Sequence, residues 1–290
     1  MKNNNGFSVL LRTVLIVFCT LAAFGAVLSG FFKYTVRDTE KIADKVVDSA
    51  FVDTVYGFCL SDLESQCLYL VLPYEDLAKC VDREDIRRLL TVNCSGALSA
   101  VLNNGEFVPA PYDSARFKGA VDAYLDSYVK EHAVTVTEGT SEKIAAELTD
   151  TVSARLSVVN TKYIDVIRNI KSLSAALGIL SSGFIPLLIV TAVLIVLLII
   201  LYRKNIVYSV YYILTACWAG SVMIFVPVIL LKLYNLPDKL ILSHSTIKVF
   251  LANAISVVSD SLTLMSALLF AVFSLSLIIV YSLRGKSGKK

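Results

Sequence analysis

Hydrophobic residues are concentrated in four long runs along this 290-residue chain. Each run holds about 20 mainly apolar residues, the length that an α-helix needs to cross the hydrocarbon core of a bilayer. The first two runs are separated by about 145 more polar residues, enough for a domain with its own core. The pattern therefore predicts an all-α membrane protein with a helical-bundle domain inserted between spans one and two. The runs cover residues 9–32, 183–202, 206–234 and 262–283.

A second pattern joins the inserted domain to the second span. Between residues 156 and 180, apolar side chains recur at alternating steps of three and four, as in helices that pack lengthwise. The apolar run that follows continues this seam, which predicts one long helix from Thr140 to Arg203, with a kink at Pro186. The domain would then end in a long stalk helix. The seam positions are Leu156, Val159, Tyr163, Val166, Ile170, Leu173, Leu177 and Leu180.

Helical spacing also dominates the inserted domain before the stalk. Ser61 with Glu64 has the form of a capping box and predicts the start of a helix after Gly57. Pro73 and the segment 103–105 predict helix ends. Only residues 133–137 are β-like, and five residues are too few for a sheet. We therefore expect a bundle of four to six helices.

Charge divides the chain in the same way as hydrophobicity. Residues 33–180 hold 16 Lys and Arg and 22 Asp and Glu, a net charge of −6, and the other 11 basic and 2 acidic residues give +9. Basic residues of membrane proteins concentrate on the cytoplasmic side. We therefore expect both termini and the turn after span two in the cytoplasm, and the acidic domain outside it. The basic positions beside the spans are Lys2, Arg12, Arg203, Lys204, Arg284, Lys286, Lys289 and Lys290.

These features divide the chain into three parts. Residues 1–33 form the cytoplasmic N-terminus and first span, and residues 34–180 form the extracytoplasmic domain. Residues 181–290 form a three-span domain with an outer loop at 235–260 and a basic cytoplasmic tail. Small residues at 22–26 would suit signal-peptide cleavage, but the apolar run is long, which favours an uncleaved signal anchor. The composition indicates a multi-pass protein of a bacterial cell membrane.

Four of the six cysteines lie in the inserted domain: Cys59, Cys67, Cys80 and Cys94. An even number outside the cytoplasm permits two disulfides, with three connectivities. If a helical hairpin turns at Pro73, Cys67 lies six residues before the turn and Cys80 seven residues after it, as a disulfide between the two helices would require. Cys59 and Cys94 would be staggered by roughly 10 Å, beyond bridging range without a bend. Free thiols are the alternative.

Sequence motifs of catalysis are missing. His132 and His244 are the only histidines, neither has a motif neighbour, and no Gly-x-Ser-x-Gly or phosphate-binding loop occurs. We therefore expect no enzyme activity, no cofactor and no metal. The spans lack central ionisable residues, which disfavours an ion pathway. The basic residues are explained by topology, so nucleic acid is not an expected partner.

One segment is a candidate for contact with a partner. Residues 106–113 contain two prolines and must form a loop between helices. Its apolar side chains would be exposed there. The candidate contact residues are Phe107, Pro109, Pro111 and Tyr112.

Two hypotheses for function follow. The first is a non-enzymatic membrane protein whose outer helical domain binds a partner or ligand, as a sensor, scaffold or envelope-associated protein. Its partners would be the bilayer and another protein or further copies of itself. The alternative is a permease-like subunit, because the order of one span, a large outer domain and three spans resembles that of mechanotransmission-type ABC permeases. The resemblance covers the order of segments only, and about three residues join spans two and three, where such a permease would engage its ATPase.

Overall fold

The computed structural model of the chain contains helices and no strand over the residues that it describes, 4–103, 106–133, 135–157, 171–203, 205–234 and 245–287. The predicted all-α class is confirmed. A π-helical turn, Phe32–Val36, follows the first helix. The α-helices are α1 (Asn4–Phe31), α2 (Thr39–Val46), α3 (Ser49–Leu70), α4 (Tyr74–Ala78), α5 (Arg83–Asn103), α6 (Ser114–His132), α7 (Thr140–Leu156), α8 (Lys171–Ser182), α9 (Phe184–Leu201), α10 (Ile206–Leu233) and α11 (Ser245–Ser287).

The chain forms two compact units. We call the first the span unit; it comprises Met1–Asp38, Ser172–Lys239 and Ile255–Lys290. The second, the bundle unit, comprises Thr39–Lys171 and Leu240–Ala254. Helix α11 contributes its first ten residues to the bundle unit and the remainder to the span unit.

Among the described residues, four helical segments are long and apolar enough to cross a membrane, in agreement with the four predicted segments. They are Val9–Val36, Phe184–Leu201, Ile206–Leu233 and Thr246–Ser282, with mean hydropathies of 2.4, 3.3, 2.2 and 2.5. The fourth differs from the prediction at its start. Residues 245–260 belong to helix α11 rather than to the predicted outer loop, because no Pro or Gly interrupts the chain there. Residues 235–244 lie outside the described residues.

The predicted stalk helix is only partly described. Of its seam, Val159, Tyr163, Val166 and Ile170 lie outside the described residues. The helix predicted to run on to Arg203 is interrupted at Gly183, between α8 and α9. Pro186 explains the interruption, since it has no N–H to donate to the carbonyl oxygen of Ser182.

Helix α1 is the central helix of the span unit and packs against both α9 and α10. Its buried face consists of small residues, Cys19, Ala22, Ala23, Ala26 and Ser29. Small side chains let helix backbones approach closely, and this packing holds helices together in a bilayer. The opposite face of α1 exposes Val14, Val17, Phe18 and Leu21, as expected of a surface in contact with lipid.

Helices α3, α5, α6 and α7 form the core of the bundle unit. Asp48 caps α3, where its side chain accepts a 2.8 Å hydrogen bond from the N–H of Phe51. The helix then continues through Gly57 and Ser61, so the start predicted at Ser61 is wrong. Helix α3 buries side chains from Phe51 to Cys67, packing against α7 and α5, and this packing outweighs the low helix propensity of Gly57. The largest fully buried side chains of the unit include Phe51, Leu63, Leu77, Ile86, Leu90, Phe117, Leu148 and Leu156.

Gly183, at the interruption, and Gly178, in α8, give a matched test of the close packing around Gly183. A Cβ atom on Gly183 would lie 2.6 Å from the carbonyl oxygen of Ile179, whereas one on Gly178 would meet no atom within 4 Å. We expect Gly183→Ala to lower the free energy of unfolding by roughly 1–3 kcal/mol through overpacking. Gly178→Ala should leave it unchanged or raise it. Thermal unfolding of the full-length protein in detergent measures both, and equal effects would contradict this account.

A polar cluster joins α6 to α7. The hydroxyl of Ser141 donates to Asp122, and Lys118 Nζ lies 3.2 Å from Asp122 Oδ2 and 3.1 Å from Glu142 Oε1. The hydrogen bond from Ser141, followed by that from Lys118, holds the pKa of Asp122 below its ordinary value of 3.8. A lowered pKa in the folded state stabilises the fold above the unfolded-state pKa, and this stabilisation is lost as the pH falls through the folded value.

Ser141→Ala should therefore lower the melting midpoint at pH 7. The difference from the unmodified protein should shrink as the pH falls below about 4. Thermal melts between pH 3 and pH 7 measure this effect. A difference that stays constant across that range would contradict the assignment.

Candidate interaction site

The loop at residues 106–113, the Pro loop, is held by a buried asparagine of α5. Asn93 Nδ2 donates to the carbonyl oxygens of Leu156, at 2.7 Å, and of Ala110, at 3.3 Å. Its Oδ1 accepts a 2.7 Å hydrogen bond from the N–H of Ala110. One side chain thus ties the loop to α5 and to the end of α7.

Tyr112, one of the predicted contact residues, is only 3% exposed. Its hydroxyl donates to the carbonyl oxygen of Cys80 at 2.7 Å and accepts from the N–H of Asp82 at 3.0 Å. Its ring packs against Phe117. Burial, the main cause, raises the pKa of its hydroxyl. The Tyr112 side chain therefore anchors the loop and does not offer an exposed contact.

The other predicted contact residues lie nearer the surface. Pro111 is exposed, Phe107 and Pro109 are half-buried, and the neighbouring Val108 is 84% exposed. The aromatic ring of Phe107 lies over Gly96, 3.2 Å from where a Cβ atom would be. A role for Phe107, Pro109 and Pro111 in binding a partner stays a prediction.

Pro111 also lines a cleft of about 360 Å³. The cleft is lined by two arginines and two aspartates, and both arginines contact Asp85: Arg116 at 2.5 Å and Arg88 at 3.2 Å from its carboxylate oxygens. The cleft therefore offers donors and acceptors without a dominant charge. Its lining residues are Asp85, Arg88, Leu89, Pro111, Tyr112, Asp113, Ser114 and Arg116.

A second surface, at the C-terminal end of α3, was not predicted. Leu68, Tyr69 and Val71, which we call the α3 tip, are 77%, 79% and 79% exposed. Three exposed large apolar side chains in four positions are unusual on a soluble surface and are typical of binding sites. The sequence did carry a signal, because residues 68–72 are five consecutive apolar residues, more than one buried helix face accommodates.

The backbone of Val71 is in the left-handed conformation, with φ of 57° and ψ of 45°. The N–H groups of both Val71 and Leu72 donate to the carbonyl oxygen of Cys67, as in a helix C-cap that usually contains glycine. A β-branched residue is strained there by roughly 1–2 kcal/mol. The hydroxyl of Tyr124 donates to the Val71 carbonyl oxygen at 3.2 Å, so α6 supports the strained position.

The tip is built on a rigid pair of helices. Arg155 of α7 forms two hydrogen bonds to Asp62 of α3, of 2.5 and 2.9 Å. Gln66, one turn further along α3, donates a 2.6 Å hydrogen bond to Glu147 of α7. These cross-links fix the last turns of α3, so the tip side chains project from a preorganised surface.

The four cysteines predicted to form disulfides are free thiols in this structure. Cys59, Cys67 and Cys94 are buried, and Cys80 is half-buried with its thiol 3.6 Å from the carbonyl oxygen of Arg116. Burial is the main reason that the pKa of Cys59 rises to about 12, and it raises those of the other three thiols as well. Protonated thiols are poor nucleophiles. The disulfides stay a prediction.

Comparisons of the chain with protein-family models, with curated proteins and with solved structures give no match.

The role of Asn93 can be measured directly. Asn93→Ala would leave the N–H of Ala110 and the carbonyl oxygen of Leu156 without their partner, so we expect a loss of about 2–3 kcal/mol in the free energy of unfolding. Ser95→Ala, two residues along α5, removes one 3.3 Å contact with Thr39 and is the control, with an expected loss of about 0.5 kcal/mol. Chemical denaturation of the full-length protein compares them. Equal losses would show that the Asn93 network does not hold the loop.

Proposed function

We propose that this chain is a non-enzymatic membrane protein that displays the bundle unit outside the cytoplasm and binds a protein partner through the α3 tip. The observation that carries the proposal is the exposure of Leu68, Tyr69 and Val71 on a fixed helix end, with Val71 in a strained conformation. Strain that is kept at an exposed position points to function, because a glycine there would relieve it.

The charge distribution supports the proposed location. The acidic character of residues 33–180 and the basic residues beside the spans agree with a single orientation under the positive-inside rule. Both termini and the turn between α9 and α10 would then face the cytoplasm. The bundle unit would meet proteins or other components outside it.

The chemistry of the tip favours a protein as the partner. Tyrosine is enriched at the centres of protein interfaces, where a large ring is buried at a low cost in conformational entropy. Tyr69 lies between two aliphatic neighbours, and the acidic Glu64, Glu75 and Asp76 are exposed nearby in sequence. An apolar centre with a polar rim is the usual arrangement of an interface.

The permease alternative has less support. Helix α9 ends at Leu201 and α10 begins at Ile206, so only four residues join these spans. A subunit that couples to a cytoplasmic ATPase needs a larger element on that side. The short connection therefore favours the interaction protein.

Site-specific photo-crosslinking in the native membrane tests the proposal. A photoreactive phenylalanine analogue would replace Tyr69 in the full-length protein, with Val92, an exposed apolar residue of α5, as the matched control. We expect a discrete protein adduct from position 69 and none from position 92. Adducts with a second copy of the chain would identify the partner as a homo-oligomer.

The same experiment separates the alternatives. The same photoreactive analogue is also placed at Val108, and an adduct from Val108 but not from position 69 would assign the binding site to the Pro loop. The absence of an adduct from both positions 69 and 108 would contradict a protein partner. Co-purification of a stoichiometric ATPase would favour the permease.

Relief of backbone strain provides a second test. Val71→Gly and Ala133→Gly both replace a left-handed non-glycine residue at a helix end, with φ of 57° and 50° respectively. We expect each variant to stabilise the fold by up to about 1 kcal/mol. Only Val71→Gly should reduce crosslinking from position 69. Unchanged crosslinking in Val71→Gly would remove Val71 from the site.

A further inference from the structure

Arg12 lies on the packed face of α1 rather than on its lipid-facing side. It precedes Ile16 by four residues and Cys19 by seven, which places the three on one face of the helix. Cys19 is fully buried with Leu198 of α9 and Ala216 of α10, and Ile16 packs against this cluster. Arg12 is therefore at the end of the seam where the three helices meet.

The guanidinium group of Arg12 is stacked on an aromatic cluster. Its Cζ lies 4.9 Å from the ring centroid of Tyr202, the residue that follows α9. Tyr202 stacks on Tyr212 of α10 at 4.9 Å, and Tyr211 packs edge-on against Tyr212 at 5.5 Å. We call Arg12, Tyr202 and Tyr212 the Arg12 cluster. Stacking uses the face of the guanidinium group, so its N–H groups, which lie in the plane of the group, do not take part in the stack.

The charge of Arg12 has no protein counter-ion among the described residues. Its Nε is buried and has no hydrogen-bond partner in the described part of the chain. The span unit contains three acidic residues by sequence, Asp38, Asp238 and Asp260. Asp38 follows Arg12 by 26 residues, about 39 Å along a helix, and Asp260 pairs with Lys232 at the far end of α10. Asp238 lies outside the described residues.

Among the described residues of the bundle unit, half-buried cations are matched by carboxylates, as Arg155 is by Asp62 and Arg83 is by Asp53. A cation near an apolar environment is costly unless an anion pairs with it. An anion from outside the described protein would therefore find in Arg12 an unpaired positive charge. In a bilayer, the anion available at the end of a span is the phosphate of a lipid headgroup.

We propose that the Arg12 cluster binds a phosphate oxyanion, and that its source is an anionic phospholipid. The guanidinium fork can donate two parallel hydrogen bonds to phosphate oxygens. The span Val9–Val36 is about 42 Å long, against a hydrocarbon core of about 30 Å. Arg12, the fourth residue of that span, can therefore reach headgroup depth. Basic pockets between spans are known to select anionic headgroups.

The surroundings favour a lipid over free phosphate. Leu10, Leu11 and Val14, on either side of Arg12 in the sequence, expose 40–63% of their surface. They offer acyl chains an apolar surface beside the cation, whereas inorganic phosphate would leave this surface unused. A lipid would thus make contacts through both its headgroup and its chains.

Native mass spectrometry of the delipidated full-length protein tests the site, with phosphatidylglycerol as the anionic probe and phosphatidylcholine as the zwitterionic one. We expect one phosphatidylglycerol to be retained preferentially. Arg12→Gln should weaken its binding about tenfold, and Arg12→Lys, which keeps the charge but loses the planar fork, should weaken it less. Arg203→Gln is the matched control, because it removes an exposed basic residue just after Tyr202.

Two results would overturn the proposal. In one, Arg12→Gln and Arg203→Gln weaken binding equally, which would mean that only bulk charge attracts the lipid. In the other, Arg12→Gln retains phosphatidylglycerol as well as the unmodified protein does, which would mean that Arg12 is not part of the lipid site.

A parallel measurement identifies the source of the phosphate. Thermal melts in lipid-free detergent, with inorganic phosphate as the ligand, should show no stabilisation that depends on Arg12, whereas phosphatidylglycerol should stabilise the unmodified protein. Equal stabilisation by inorganic phosphate would contradict the lipid as the source.

Discussion

The close approach of α1 to α9 and α10 is the constraint on which the span unit depends. A Cβ atom on Gly220 of α10 would lie 3.3 Å from backbone atoms of both Thr20 and Phe24 of α1, and one on Gly25 of α1 would lie 3.1 Å from the side chain of Leu187 of α9. Apolar helices gain little from burying hydrophobic surface in lipid, so close packing of small residues has to hold them together. This packing also brings Arg12 to Tyr202, because both lie at one end of the same seam.

The sequence predicted the structure best where a single physical requirement, such as the length and hydrophobicity needed to cross a bilayer, determines it. Long apolar runs have few alternatives to spanning a bilayer, so the spans could be predicted. Helical periodicity identified the apolar face of each helix, but it does not show which other helix or loop packs against that face. Tyr112 was expected to be exposed because it lies in a loop with two prolines, yet its side chain is buried and its hydroxyl is hydrogen-bonded to Cys80 and Asp82, 32 and 30 residues earlier in the chain. The exposed surface at residues 68–71 was not predicted, because helical spacing does not show that α6 contacts the Val71 carbonyl oxygen and leaves these side chains exposed.

The two proposed sites share a physical signature. Each contains a residue with an unfavourable free energy that the described part of the chain does not offset. At Val71 this is backbone strain, and at Arg12 it is a positive charge without a counter-ion. Two polar side chains of the bundle unit are compensated within the chain, Asn93 by three hydrogen bonds and Arg155 by Asp62. Backbone strain and unpaired charges are expected at binding sites, where contacts with a partner or ligand offset the unfavourable free energy. The two sites lie in different units and can be tested independently.

The central claim is that the bundle unit faces away from the cytoplasm, with its α3 tip open to a partner. Labelling of intact cells with a membrane-impermeant maleimide tests it most directly, in a Cys80→Ser background where the other three bundle thiols are buried. Tyr69→Cys should be labelled in intact cells, and Asn205→Cys, in the turn between α9 and α10, only after permeabilisation. The reverse pattern would contradict the account, because it would place the bundle unit in the cytoplasm.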